Sequence, residues 1–258
     1  MKECTMVERY AREEMKKHWT IKAKYDAWLQ VEKAAVKAWN KLGLIPQEDC
    51  EKILKHAQFD IDKIDEIEKV TRHDVIAFLT SVADSLGDES RWVHYGMTSS
   101  DCIDTAVALQ MRDSLGLILE DIQTLMDSLK KRALEHKMTL MVGRSHGIHG
   151  EPITFGLVLA LWYEEIKRNF INLTNVMDVI SVGQISGAMG NMAHSPMELE
   201  ELVCEDLGLK PAPISNQIIQ RDRYAALMNA LALLASSCEK IAVAIRHYQR
   251  TEAYECEK

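Results

Sequence analysis

The sequence predicts an all-α protein: a small N-terminal helical domain over residues 1–97, then an incomplete bundle of long helices over 98–258. Three observations carry this. Apolar residues recur at three- and four-residue spacing along most of the chain, the signature of amphipathic helices. The interval from Asp101 to Lys137 holds no proline, so a single helix of about 55 Å is expected there. Alternating apolar and polar runs, which mark half-buried strands, are nearly absent.

Taken in order, Ile21, Tyr25, Trp28, Ala35, Val36, Trp39 and Leu42 follow helical spacing, and Gly43 with Pro46 ends that helix and begins the next. Thr71 is the expected N-cap of a helix that has Asp74 in its first turn. In the long helix from Asp101, the residues Ile118, Ile122, Leu125 and Leu129 share a face. A second long helix is expected from Pro152, which suits a first helical turn, to Ile180. A short one starts at a Ser195-Pro196-Met197-Glu198 capping box and reaches Leu207, and a third long one runs from Gln217 onward. The apolar stripes of the three long helices are wider than one chain of this size covers, so self-association is expected.

Composition narrows the function. With 47% hydrophobic residues in 258, the chain can bury a sizeable core. Its 39 acidic and 31 basic residues give a formal charge of -8, which argues against a nucleic-acid or anionic-membrane surface. An anionic substrate would have to meet a local basic pocket. Cys4, Cys50, Cys102, Cys204, Cys238 and Cys256 show no CxxC or regular spacing, which fits free thiols in a reducing cytoplasm. The N-terminus lacks an apolar targeting region, and the runs at 155–163 and 225–235 fall short of the ~20 residues of a membrane span.

The most informative stretch is Gly143-Arg144-Ser145-His146-Gly147-Ile148-His149-Gly150-Glu151-Pro152, two imidazoles among four glycine or proline residues between helical patterns. Imidazole exchanges protons near neutrality, and glycine lets a backbone approach a ligand closely. Two further segments share this character. Thr71-Arg72-His73-Asp74 leaves Arg72 and His73 unexplained by capping. His94-Tyr95-Gly96-Met97-Thr98-Ser99-Ser100-Asp101 places hydroxyls and free N–H groups at a helix start, where anions bind. Gly183, Gly187 and Gly190 read first as a turn between helices. His146-x-x-His149 lacks the further ligands that zinc requires, so no metal is expected.

The order RHDV, WVHYGMTSSD, GRSHGIHGEP, QISGAMG and APISNQIIQRDR resembles the fumarate lyase superfamily and, within it, the bacterial adenylosuccinate lyases. The resemblance is collinear from Val7-Glu8-Arg9-Tyr10 to the last residue. Ser145 stands where threonine is usual and Gly150 where alanine is usual; both are small. Family members carry a Ser-rich loop of the form SSxMPxKxNP beyond the segment similar to Gln249-Arg250-Thr251-Glu252. The 258 residues hold no such motif, so the expectation is a truncated form, inactive by itself.

The resemblance implies a cofactor-free β-elimination that releases fumarate from adenylosuccinate and from the succinyl-carboxamide intermediate of purine synthesis. It makes His146 the general acid toward the leaving nitrogen and places the base, a serine, in the loop outside this chain. It assigns Arg9 and Tyr10 to the phosphate region, Arg72, His73 and Asp74 to the substrate, and Thr98, Ser99 and Gln217 to the succinyl carboxylates. His73 and His94 would position substrate and tune His146. Arg221 and Arg223 read as salt-bridged surface or interface residues. The partners implied are a nucleotide substrate and copies of the same chain, a homotetramer in the full-length family, with neither nucleic acid nor membrane. Two alternatives stand beside this reading: another superfamily member, such as argininosuccinate lyase or aspartase, and a non-catalytic helical assembly module.

Overall fold

The computed structural model describes residues 8–257; Cys4 and the Val7 that opens the resemblance lie outside the described residues. The protein is helical, with two small two-stranded sheets. It divides into two compact units that interleave along the chain: residues up to Ser114 together with Ile180–Arg221, and Leu115–Val179 together with Asp222–Lys258.

The first unit contains α1 (Glu13–Lys16), α2 (Ile21–Lys41), α3 (Gln47–His56), α4 (Ile61–Thr71), α5 (Asp74–Ala83) and the start of α6 (Ser99–Glu135). It is completed by α8 (Met197–Leu207) and the short parallel pair β3 (Val182–Gly183) and β4 (Lys210–Pro211). Its core is built on α2. Tyr25 stacks on Phe78 of α5 at 5.6 Å, and Trp28 meets both rings edge-on. Val31, Ala35, Cys102, Ala106, Ile185, Leu199 and Val203 continue the same buried cluster. Each large side chain so buried contributes about 1.5–3 kcal/mol, so this cluster is the rigid base on which the loops rest.

The second unit holds the rest of α6, the antiparallel hairpin of β1 (Leu140–Ser145) and β2 (Ile148–Thr154), α7 (Phe155–Ile180) up to Val179, and α9 (Asp222–Tyr248). Ile122, Met126, Leu129, Leu159, Trp162, Ile166, Leu173, Leu227 and Ile241 are buried. Asn169 donates to Ser237 Oγ at 3.0 Å, Lys240 pairs with Glu165, and Arg223 donates to the Val179 carbonyl at 2.8 Å. Leu157, Leu161, Met228 and Leu233 remain more than half exposed.

Several boundaries differ from those expected. Pro152 lies in β2, opposite Val142, and α7 begins only at Phe155. A two-stranded hairpin consists of edges, where a residue without an N–H costs little. Thr71 ends α4 instead of capping α5, and His73 takes the cap, its Nδ1 accepting from the Ile76 N–H at 3.4 Å. The expected box at Ser195 does not form: Pro196 is the N-cap without a side-chain bond, and Ser195 Oγ is buried without a partner among the described residues. The last long helix starts at Asp222 instead of Gln217: the residues before it follow a series of bends, and the Ile219 N–H donates to Asp104 at 2.8 Å instead of to a helical carbonyl. That helix, α9, is long and apolar enough by length and composition alone to cross a membrane, although no uninterrupted apolar run within it reaches that length. The five described cysteines are free thiols.

Candidate active site

In the first unit, loop segments from three parts of the chain are tied together by buried polar groups at the start of α6. Asp101 is fully buried and accepts from three main-chain N–H groups: Thr98 at 2.9 Å, Ser186 at 3.1 Å and Gly187 at 3.1 Å. The bond to Thr98 is half of a capping box, in which the third helical residue reaches back to the N-cap. Burial pushes the Asp101 carboxyl above the usual carboxylate range, against the pull of those three bonds and of His94.

One turn further along α6, Thr105 Oγ1 accepts from the Gln184 N–H and donates to the Gln184 carbonyl. Glu200 of α8 accepts from the Ile185 N–H at 2.7 Å. The stretch 184–187 is therefore held on both sides by side chains. Main-chain N–H and C=O groups buried in a loop must find partners, and here α6 and α8 supply them.

The third segment, 212–221, is fastened to the same frame. Ser186 and Ser215 hydroxyls lie 2.7 Å apart, Gln184 Nε2 donates to the Gln217 carbonyl at 2.9 Å, and Arg221 forks onto Asp104 with two contacts of 3.0 Å. The Gln217 side chain is exposed while its carbonyl is pinned. Arg221 is a salt-bridged residue, as read from the sequence. A cavity of about 470 Å³ opens between Ser186, Gly190, Met197, Glu200 and Pro213–Ser215.

His94 approaches the start of α6 from the preceding turn. Its backbone takes φ 64°, its N–H donates to Glu32 Oε2 at 2.8 Å, and its ring Nδ1 lies 2.7 Å from Glu32 Oε1. The turn is braced by Trp39, whose indole donates to the Tyr95 carbonyl at 3.0 Å. Desolvation alone would lower the His94 pKa, but the hydrogen bond and charge of Glu32, with a smaller contribution from Asp101, raise it. Thr98 and Ser99 follow directly, half-buried at the helix start.

Arg72, His73 and Asp74 sit together where α4 passes into α5. Arg72 takes the left-handed conformation at φ 54°, and Asp74 accepts from the Val75 N–H and pairs with Lys24 at 3.6 Å. Arg9 donates to the Tyr10 hydroxyl at 2.6 Å, and both are exposed.

His146 belongs to the second unit. It occupies the two-residue tip of the β1–β2 hairpin, with φ 56° at His146 and 75° at Gly147, followed by the exposed His149. Two successive positive φ values at a two-residue connection are the pattern of a type I′ turn, where Asn-Gly is usual and histidine is not. A non-glycine residue held left-handed costs about 1–3 kcal/mol, and such residues cluster at functional positions. The strand before it is irregular at Gly143, where a Cβ would meet the Glu151 carbonyl at 2.5 Å. Arg144 pairs with Glu255 at 2.5 Å, which ties β1 to the end of the chain.

Of the residues that hold the loops, the sequence had not singled out Glu32, Thr105 or Glu200, and had marked Asp101 only as the last residue of the His94 segment and the start of the long helix. One signal was available. Tyr25, Trp28, Glu32, Ala35 and Trp39 fall at spacings of three and four, so Glu32 is a charge on the buried stripe of α2.

A helical scaffold with histidines on turns and hydroxyls at a helix start is what the comparison with known proteins has to match. The family model described as Lyase matches residues 8–258, and the chain belongs to that family. It is 66% identical over 253 residues to the adenylosuccinate lyase of Helicobacter pylori, covering 98% of this chain and 58% of that protein. To the adenylosuccinate lyase of Bacillus subtilis it is 51% identical, over 98% and 59%. The chain therefore spans somewhat under three-fifths of the length of these relatives. Among solved structures, a fumarate lyase from Mesorhizobium sp. BNC1 superposes with a TM-score of 0.88 at 26% identity, covering 94% of this chain and 59% of that one. The 3-carboxy-cis,cis-muconate lactonizing enzyme of Pseudomonas putida gives 0.84 at 28%, over 93% and 57%.

Proposed function

We propose that this chain is the N-terminal part of a cytoplasmic adenylosuccinate lyase, releasing fumarate from adenylosuccinate to give AMP and from succinyl-aminoimidazole-carboxamide ribotide. The observation that carries this reading is the 66% identity over 253 residues to a relative of that name. The fold by itself would not choose, since a muconate lactonizing enzyme shares it. The 66% identity to an adenylosuccinate lyase, against 28% to that enzyme, supports the lyase reading.

In the reaction, a base removes the proton from the carbon next to a succinyl carboxylate. That electron pair becomes the new C=C bond, the C–N bond breaks, and an acid delivers a proton to the departing nitrogen, so fumarate and AMP account for every atom. His146 is the acid in this reading: an exposed imidazole on a hairpin tip can reach a ligand, and histidine is the side chain that most often serves as a general acid or base. Thr98 and Ser99, at the start of α6, donate to the succinyl carboxylates, where helix-end N–H groups add to the attraction. Gln217 serves the same group, Arg72, His73 and Asp74 contact the substrate, His94 supplies a positive charge, and Arg9 with Tyr10 meets the phosphate. The base is a serine of an SSxMPxKxNP loop, a motif these 258 residues do not contain.

A polypeptide of residues 1–258 is accordingly expected to release no fumarate from adenylosuccinate, and to do so once the C-terminal segment of the family is supplied as a second chain. Absorbance of fumarate in both mixtures decides it. Rates from 1–258 alone matching a complete enzyme would place the base within these residues and overturn the assignment.

The second unit supports a homo-oligomer, a tetramer in the complete protein. Leu157, Leu161, Met228 and Leu233 expose large apolar side chains on two long helices, as interface helices do. Light scattering at micromolar concentration should show a species larger than a monomer. A strictly monomeric folded chain would count against it.

A further inference from the structure

We propose that Glu32 is the positioning residue for His94: its carboxylate holds the histidine backbone and ring Nδ1 together, so that Nε2 alone is presented to the anionic group of a substrate. The inference rests on the reading of His94 as a substrate contact, and assigns it a partner on α2.

Both carboxylate oxygens are used. Oε2 accepts the His94 main-chain N–H at 2.8 Å and Oε1 the ring Nδ1–H at 2.7 Å, so one carboxylate fixes the residue at two points. Two anchors on the same residue leave χ1 and χ2 little freedom. They also select the tautomer, because a carboxylate accepts only, and Nδ1 must then carry the proton. Among the described residues, Nε2 makes no hydrogen bond. The carboxylate is 1% exposed and the imidazole 17%. An ion pair in that setting is screened little by salt.

Beside His94, the buried Cys102 thiol of α6 also interacts with the Glu32 carboxylate, but a thiol is a weak donor and does not by itself account for a buried charge. Glu32 lies on the apolar stripe of α2 between Trp28 and Trp39, in the core that packs α2 against α5 and α6. A buried carboxylate is costly unless paired and hydrogen-bonded, and an apolar residue there would pack without that cost. His94 itself is held at φ 64°, a conformation that the two bonds to Glu32 maintain. The charged groups acting on the imidazole are Glu32 from α2 and Asp101 from α6, and the segment carrying His194 lies against Gly96 of the same turn. Glu32 favours the imidazolium, in which Nε2–H is a cationic donor suited to a phosphate or carboxylate.

The test compares the 258-residue chain with Glu32→Gln, which keeps the volume and removes the charge. Side-chain 15N spectra assign the tautomer and titration midpoint of His94, and AMP is the probe of affinity. In the unsubstituted chain Nδ1 should be protonated throughout and the midpoint should lie above that of an ordinary histidine. In Glu32→Gln the midpoint should fall, and AMP affinity should drop about tenfold at pH 7.5 while approaching the unsubstituted value at a pH below the variant's own measured midpoint, where His94 is protonated in both. An equal loss at both pH values would mark a merely structural carboxylate and overturn the proposal. So would an unchanged midpoint in a folded variant, or an Nε2–H tautomer in the unsubstituted chain, a measurement that needs no variant to fold. If neither chain binds AMP, the nucleotide reading fails, and the tautomer and midpoint still decide the role of Glu32.

Discussion

A His146→Gln variant, studied with the base-bearing C-terminal segment supplied, is expected to lose about 10²- to 10⁴-fold in turnover while substrate affinity changes little. Glutamine is close to histidine in size and can still donate a hydrogen bond, so a ligand contact survives. It cannot release a proton to a leaving nitrogen. The position favours a clean measurement, because His146 is exposed on the hairpin tip and its replacement leaves no cavity. Both residues must adopt the same left-handed backbone at φ 56°, so the change in local strain is small beside the catalytic effect. Steady-state kinetics and affinity on the same preparation are the measurement. Near-normal turnover would move the acid role elsewhere, with His73 the first candidate.

Gly190→Ala is expected to destabilise the first unit by about 3 kcal/mol, and Gly187→Ala by only about 1 kcal/mol. Both glycines have positive φ, 71° and 78°, so both pay the left-handed penalty of a side chain. They differ in surroundings. A Cβ on Gly190 would stand 2.2 Å from the Ser215 carbonyl oxygen and 2.6 Å from the Asn216 Cα, whereas a Cβ on Gly187 meets nothing within 4 Å. Backbone atoms cannot rotate away, so relief at Gly190 requires the 213–217 segment to move, and with it Gln217. Urea unfolding of the two variants gives the difference directly. Equal losses would mean that the two loops do not depend on their close approach at Gly190.

Much of the helical architecture was legible because long apolar periodicity needs no knowledge of tertiary partners. The helix expected from Asp101 to Lys137 runs from Ser99 to Glu135, and the helix expected to end at Ile180 ends there. The motif segments were legible for a different reason: glycine beside histidine or hydroxyl residues is a poor way to continue a helix. Caps were less accessible. Thr71 and Ser195 are good cap residues by type, yet His73 and Pro196 occupy those positions. An energy difference of about 1 kcal/mol between cap residues is easily overridden by the path the chain must follow between packed helices.

The helical class, the long helices and the segments carrying His73, His94, Thr98, Ser99, His146 and Gln217 were readable from the chain, since they depend on local periodicity and residue chemistry. Long-range packing is what puts Pro152 in a hairpin strand and Gln217 before α9, and makes Asp101, Thr105 and Glu200 the anchors of the 184–187 stretch. It also decided which acidic residue meets His94: Glu32 lies 62 positions away and becomes its partner only when α2 packs beside α6. The physical reason is that a buried polar group takes whichever partner the packing brings within about 3 Å, and a pairing across that many residues leaves no periodic trace in the chain.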